Sequence, residues 1–322
     1  MLTAILKSKT ILGFAFSYLL GVSMIIFSLF MLPDNWQADD LLYSHWAFSW
    51  LETGEAFLPY LGVILIAVGA IISRVRIREA KLVLGNRNLS MVAFVSLIMV
   101  QPSVLLRPDV LAAMLLSVAT FLLLLSTYKR ESVLSEIFHV GLLVGLASLF
   151  AGQSVFLAVS VLFSVIILRT SNWKEWAVLI LGLAMTAVFV MMFVIWHERV
   201  FLSFQWVIQS AWSANRSLNS LNAGHLALVP VFVISFLGML NSLSAASVAE
   251  RNIAIANIGW IVGIVLMVLV LGLGWQNGII FAAFPLSVFV GKMLENTKRW
   301  WISEPLLLAI IVAPFLSILW RF

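Results

Sequence analysis

The chain has 322 residues, of which 63% are hydrophobic and 10% are charged, and its mean hydropathy is +1.10. A soluble domain carries roughly 25% charged residues, so this composition excludes a soluble globular protein and indicates an integral membrane protein. The absence of cysteine excludes disulfides, thiolate metal ligands and cysteine catalysis.

Apolar runs follow one another along almost the whole chain. About eleven of them are candidate membrane spans, and several have only about 15 residues, so tilted, short or partly re-entrant helices are expected. No convincing cleavage site follows the first run, so we interpret it as a retained helix rather than a signal peptide. We predict an all-α, polytopic transmembrane helix bundle that forms a single domain, residues 1–322. The predicted spans lie near residues 10–32, 57–73, 89–106, 110–128, 137–152, 154–168, 177–196, 226–242, 253–272, 277–291 and 304–320.

The gaps between the runs alternate in charge. Fifteen of the nineteen Lys and Arg residues lie on one set of gaps, and all four Asp residues lie on the other set. Cytoplasmic loops are rich in Lys and Arg, so the basic set and the N-terminus are predicted to be cytoplasmic. These short basic loops orient helices and do not indicate a nucleic-acid partner. We therefore expect the lipid bilayer as the partner and the bacterial inner (cytoplasmic) membrane as the location.

The first outer loop, residues 33–56, carries most of the acidic side chains on that side. Asp34, Asp39 and Asp40 lie in it, and apolar residues recur every four positions in its second half. That spacing predicts a short helix lying on the membrane surface. A carboxylate there can act as a general base, or it can bind a divalent cation such as Mg²⁺ or Mn²⁺. A solvated acidic loop without chemistry is the alternative.

Three other residues that are predicted to lie on the outer side have a cationic or imidazole side chain that can bind a phosphate group. His197 and Arg216 lie in the second long outer loop, residues 197–225, which is also predicted to contain an interfacial helix. Arg107 lies in a tight link between two spans. It can bind an anionic headgroup or phosphate, or it can form a salt bridge with Asp109.

The histidines do not indicate an iron site. His45, His197 and His225 are predicted to lie outside, whereas His139 is predicted to lie at the inner end of a span. Imidazoles on opposite sides of the membrane cannot share one metal, which disfavours a four-His oxygenase. Convergence of the three outer histidines on a metal remains open.

Small residues recur at a spacing that favours close contact between helices in lipid. Gly141 and Gly145 form a G-x-x-x-G spacing within one predicted span. Small side chains let helix backbones approach each other, so we predict a packing role for these glycines and no chemistry.

The stretch from Asn88 to Arg169 carries a resemblance to known proteins. It contains, in order, Gln101-Pro102, Arg107-Pro108-Asp109, Tyr128-Lys129-Arg130 and the small-residue segment 141–148. This order resembles an uncharacterised family of multi-spanning bacterial inner-membrane proteins. Its helix order is similar to the N-terminal module of the GT-C glycosyltransferases, which use polyprenyl-phosphate sugars and commonly place an acid in the first outer loop.

The resemblance implies a membrane glycosyltransferase that moves a sugar from a polyprenyl-phosphate carrier to an acceptor on the outer side. A divalent cation, Mg²⁺ or Mn²⁺, is a possible cofactor. The implied catalytic candidates are Asp40, Asp39 and Asp34. The implied contacts for the carrier phosphate are Arg107, Arg216 and His197.

Two other classes of function remain open from the sequence. The first is a non-enzymatic membrane subunit of an envelope assembly or export machine, with envelope proteins as partners. The second is a lipid or polymer transporter. Ionisable residues are nearly absent from the predicted spans, and such residues commonly mark ion or proton pathways, which disfavours the transporter.

Overall fold

The computed structural model describes residues 2–7, 11–30, 57–79, 87–128, 133–168, 173–196, 223–243, 246–271, 275–297 and 299–319. Within these ranges the chain is helical and contains no strand, which confirms the predicted all-α fold. Two short 3-10 helices, Pro102–Leu106 and Gly152–Phe156, accompany the α-helices. The α-helices are α1 (Leu2–Lys7), α2 (Ile11–Phe30), α3 (Leu58–Glu79), α4 (Arg87–Met99), α5 (Pro108–Ser126), α6 (Leu134–Phe150), α7 (Leu157–Leu168), α8 (Trp173–Trp196), α9 (Ala223–Leu243), α10 (Val248–Leu271), α11 (Trp275–Asn296) and α12 (Trp300–Leu319).

Each predicted span overlaps one of the α-helices from α2 to α12. Six helices are long and apolar enough to cross a membrane by length and composition, and shorter apolar helices accompany them. The protein is therefore a membrane protein with several spanning helices, and the full number of crossings stays a prediction. The interfacial helices predicted in the two outer loops fall on residues 33–56 and 197–222, which lie outside the described residues.

The predicted third span, residues 89–106, is not one continuous helix. Pro102 has no N–H, so it cannot donate to the Ile98 carbonyl as the next helical residue would. That carbonyl instead accepts the Gln101 N–H at 3.2 Å, one residue earlier than in an α-helix. The chain tightens into the 3-10 helix and then enters α5 through Arg107. We name residues 101–109 the hairpin.

Helices α4 and α11 form the centre of the bundle. Every side chain from Asn88 to Val100 is buried, and α11 is enclosed almost as completely. Helix α4 packs against α2, α3, α11 and α12, whereas α11 also packs against α5, α9 and α10. The Phe121 ring of α5 lies 4.9 Å from the Trp260 ring and 5.9 Å from the Phe284 ring, both edge to face. These aromatic contacts join three helices at the core.

Polar side chains bridge helices inside the apolar core. The Asn257 amide of α10 donates to the Pro285 carbonyl of α11 at 3.1 Å. The Ser96 hydroxyl of α4 donates to the Ile310 carbonyl of α12. Apolar contact alone distinguishes poorly between lipid and a neighbouring helix, so hydrogen bonds of this kind give the helices a specific arrangement.

Helix α1 closes one end of the bundle, which we name the α1 end. The Asn88 side chain donates to the Leu6 carbonyl at 3.2 Å, and the Lys7 ammonium donates to the Thr297 carbonyl at 2.9 Å. The start of α4 and the end of α11 therefore lie together there, and Glu304 near the start of α12 accepts the Thr3 hydroxyl at 2.7 Å. Burial lowers the pKa of Lys7, and nearby Glu295 and Glu304 partly oppose that shift.

The opposite end, which we name the far end, gathers the hairpin with the end of α2 and the start of α3. The Phe27 and Phe315 rings, near the ends of α2 and α12, lie 4.4 Å apart. Gly62 of α3 lies so close to the Leu105 carbonyl that a Cβ would have no room. The charge pattern predicts that this far end is the outer side.

Single-cysteine variants test this orientation directly, because the natural chain has no cysteine to interfere. Phe57 is exposed at the start of α3, and Asn296 is exposed at the end of α11. We expect a membrane-impermeant maleimide to label Phe57→Cys in intact spheroplasts. Asn296→Cys is expected to react only after permeabilisation, since segments rich in Lys and Arg between spans stay on the cytoplasmic side of the membrane. The reverse labelling pattern would show that the predicted orientation is wrong, and the cysteine-free parent is the blank.

Candidate functional site

The hairpin holds a charged pair at the far end. The Arg107 guanidinium donates through Nη2 to Oδ2 of Asp109 at 3.3 Å. The Asp109 side chain is 3% exposed, whereas the Arg107 side chain is 26% exposed. The structure thus contains the salt bridge that the sequence allowed, with the carboxylate inside the protein and the Arg107 side chain partly accessible.

The start of α5 explains why a carboxylate is tolerated there. Pro108 occupies the first helical position, where a missing N–H costs nothing, and Asp109 follows in the first turn. Negative charge is favoured in that turn, because the helix dipole and unbonded N–H groups point toward it. The second carboxylate oxygen of Asp109, Oδ1, is buried and accepts no hydrogen bond from the part of the chain that the structure describes. Asp109 can therefore accept one more donor.

This geometry suits the recognition of an anion. A guanidinium is planar and always charged, and its N–H groups match two phosphate oxygens at once. Asp109 restrains one edge of Arg107, which reduces the conformational entropy that binding must overcome. An anionic group that reaches the far end can therefore meet a positioned, partly exposed cation.

Arg107 is the one predicted site residue that falls within the described ranges. The structure therefore does not test whether the candidates come together in space. The other candidates lie outside the described residues: Asp34, Asp39, Asp40, His197 and Arg216.

The described ranges offer no ligand set for a metal. Among these residues no group of three or more His, Asp or Glu side chains could hold an ion. The acids that could bind the predicted Mg²⁺ or Mn²⁺ belong to the first outer loop, outside those ranges.

Two polar residues of the far end were not singled out from the sequence as site candidates. Gln101 is 7% exposed and Asp109 is 2% exposed. Their signal was a polar residue on each side of a proline-containing break between apolar runs. His225, at the start of α9, is also buried, and the adjacent Gly224 packs against the end of α12.

Comparison with known proteins places the chain in a family. The comparison with curated proteins returned no match, and neither did the comparison with solved structures. A family of unknown function (DUF6427) matches residues 52–319, a range that contains the hairpin and begins after Asp40. Because this match covers most of the chain, the protein belongs to the DUF6427 family.

Proposed function

We propose that this membrane protein is a glycosyltransferase of the GT-C type in the bacterial inner membrane. It moves a sugar from a polyprenyl-phosphate carrier to an acceptor on the outer side. The observation that supports this proposal is the pair in the hairpin, where buried Asp109 restrains partly exposed Arg107. A restrained guanidinium at the end of the bundle is suited to the phosphate of a lipid-linked sugar.

The proposed reaction is a displacement at the anomeric carbon of the donor sugar. A carboxylate of the first outer loop, Asp40 or Asp39, accepts the proton of the acceptor hydroxyl, with Asp34 as the third candidate. The acceptor oxygen bonds to the anomeric carbon while the bond from that carbon to the phosphate oxygen breaks. The carrier phosphate leaves with the bonding electrons.

Arg107 stabilises the charge that develops on the departing carrier phosphate. Arg216 and His197 of the second outer loop are proposed as further contacts of the same phosphate. A divalent cation bound by the loop acids would add positive charge near this group. Loss of one such positioned donor typically costs about 10²–10³-fold in turnover.

A deletion strain carrying plasmid-borne variants tests the proposal. We expect Arg107→Gln to lose a specific envelope glycan and to accumulate the polyprenyl-phosphate sugar, at a normal level of membrane protein. Arg107→Lys is expected to restore part of the product, because an ammonium keeps the charge and loses the bidentate geometry. Asp39→Asn, Asp40→Asn and the double variant test the proposed base. The readouts are mass spectrometry of glycans and of lipid extracts.

Arg251→Gln is the matched control, because Arg251 is exposed at the start of α10, where the sequence predicts the cytoplasmic side. It removes the same charge and should leave the glycan unchanged. If the deletion strain itself shows normal glycans and normal lipid-linked sugars, the transferase proposal is wrong. A defect in envelope assembly with intact glycans would instead support the non-enzymatic subunit.

A further inference from the structure

The backbone of α3 holds the hairpin from the side. Gly62 is buried, and a Cβ at this position would overlap the Leu105 carbonyl oxygen and lie 3.0 Å from both the carbonyl carbon and the Cα of Leu105. All three atoms belong to the backbone, so none of them can turn aside as the end of a flexible side chain can. The two backbones are therefore in contact at a distance that only glycine permits.

The sequence of the hairpin explains why α3 comes close at this point. In a 3-10 helix each carbonyl accepts the N–H of the residue three positions later. For Leu105 that residue is Pro108, which has no N–H to donate. The Leu105 carbonyl instead faces Gly62, where a Cα–H, a weak donor, takes the place of a side chain.

The turn that contains Leu105 is linked directly to the charged pair. The Arg107 backbone N–H donates to the Val104 carbonyl at 2.9 Å, so Leu105 lies inside a closed turn. Beyond the turn, the Arg107 guanidinium donates to Asp109 at 3.3 Å. A displacement of the Leu105 carbonyl therefore moves the Arg107 backbone with it and disturbs the bond to Asp109.

Helix α3 cannot easily move away from the hairpin. Ile66 and Gly69 lie on the same face of α3 as Gly62 and are buried. A Cβ at Gly69 would lie 2.9 Å from the Leu115 side chain of α5 and 3.1 Å from the Phe94 ring of α4. Helix α3 is thus packed against both helices that the hairpin joins, so an atom added at Gly62 displaces the hairpin.

We propose that Gly62 is a positioning residue of the hairpin, through which α3 sets the place where Arg107 presents its guanidinium to the carrier phosphate. Gly62 contacts the Leu105 backbone and acts on the anion only through Arg107. The identity of the anion rests on the proposed function, whereas the placement of Arg107 by Gly62 rests on the contacts described above.

Chemical labelling of Arg107 in the full-length protein in neutral detergent measures this placement without a substrate. Phenylglyoxal reacts with guanidinium groups, and mass spectrometry of the peptide that contains Arg107 gives the rate at this one arginine. The bond to Asp109 competes with the reagent. Gly62→Ala displaces the hairpin and weakens that bond, so we expect the labelling rate to rise by about tenfold, the factor for loss of one charge-assisted hydrogen bond.

Two reference variants define the range of this measurement. Asp109→Asn removes the competing charge directly and should raise the rate by a similar factor, and adding Gly62→Ala to it should give little further increase. Gly69→Ala crowds the same face of α3 against side chains. It should lower the thermal midpoint and leave Arg107 labelling at the parent rate. Labelling of folded Gly62→Ala at the parent rate would overturn the proposal.

A milder variant covers the case in which Gly62→Ala does not accumulate in the membrane. Ile66→Val removes one carbon from the same buried face of α3 at the next turn and adds no atom against the hairpin. It should raise the labelling rate of Arg107 by a smaller factor, because α3 then holds the hairpin less firmly. In that case, labelling of Ile66→Val at the parent rate would overturn the proposal.

Glycan synthesis in the deletion strain gives a second readout. A misplacement of about 1 Å can cost about 10²-fold in rate, so we expect the glycan to appear about 10²-fold more slowly after induction of Gly62→Ala than of the parent. Gly62→Ala should add no further loss to Arg107→Gln, because its effect passes through that guanidinium. Losses that multiply would indicate a general structural defect and would overturn the proposal.

The two readouts fail separately. If the deletion strain has normal glycans, the transferase proposal is wrong, and the labelling rates alone decide whether Gly62 positions Arg107. If Arg107→Gln loses the glycan while Gly62→Ala keeps both the glycan and the parent labelling rate, the transferase stands and the role of Gly62 is wrong.

Discussion

Gly291→Ala is expected to destabilise the bundle by about 1–2 kcal/mol, although alanine is a better helix former than glycine. The propensity gain in a helix interior is about 0.8–1.0 kcal/mol, whereas overpacking a close contact typically costs about 1–3 kcal/mol. At Gly291 the added Cβ meets Ser90, including its backbone. Because α4 is buried on all sides, it cannot move away without disturbing the core.

Gly21→Ala is the matched control for this prediction. A Cβ at Gly21 would lie 3.7 Å from the Met91 Cε and 3.8 Å from the Val95 Cγ2, which are ordinary van der Waals distances. At this position alanine adds helix propensity without a close contact, so this variant should be as stable as the parent or more stable. Thermal unfolding in mild detergent, followed by tryptophan fluorescence, measures both. Equal midpoints for the two variants would contradict the close approach of α4 and α11.

Gly141→Ala and Gly182→Ala are expected to loosen α8 from the bundle. The two glycines lie at a reciprocal contact, where Gly141 approaches the Leu179 carbonyl of α8 and Gly182 approaches the Phe138 carbonyl of α6. Such contacts allow weak Cα–H···O bonds of about 0.5–1 kcal/mol each and close packing around them. A Cβ meets backbone at either position, so each variant should lose about 1–3 kcal/mol.

The double variant gives a sharper result than either single one. Once one Cβ has separated the helices, the second should cost less, so the combined loss should be smaller than the sum. Gly259→Ala is the control, since its Cβ meets the flexible end of Ile167 at 2.9 Å. Hydrogen exchange of α8 and the thermal midpoint are the readouts. Additive losses with no change in α8 exchange would argue against a shared contact.

The packing role that the sequence predicts for Gly141 and Gly145 is confirmed by these contacts. Gly145 lies against Thr186 of α8, whose hydroxyl donates weakly to the Leu142 carbonyl at 3.4 Å. The pairing runs from Gly141 opposite Gly182 to Gly145 opposite Thr186, so α6 and α8 are parallel. The glycine spacing showed that a neighbouring helix would come close, but it contained no information on which helix that would be.

The positions of the helices followed from the sequence because a long apolar run in lipid must satisfy its own backbone hydrogen bonds. The orientation predicted for the helices also follows from one simple rule, the excess of Lys and Arg in cytoplasmic loops. The acids and the phosphate contacts proposed in the outer loops remain predictions, because they depend on how loops that are distant in the chain meet.

The sequence did not show which helices are buried in the protein, because lipid and the protein core are both apolar. Helix α4 is buried at every residue from Asn88 to Met99, whereas α8 exposes Leu181, Val188 and other apolar side chains, although both are apolar runs. Hydropathy therefore locates membrane helices and cannot rank them from centre to periphery. The enclosure of Asp109, and with it the basis of the proposed phosphate contact at Arg107, depends on how the helices pack together.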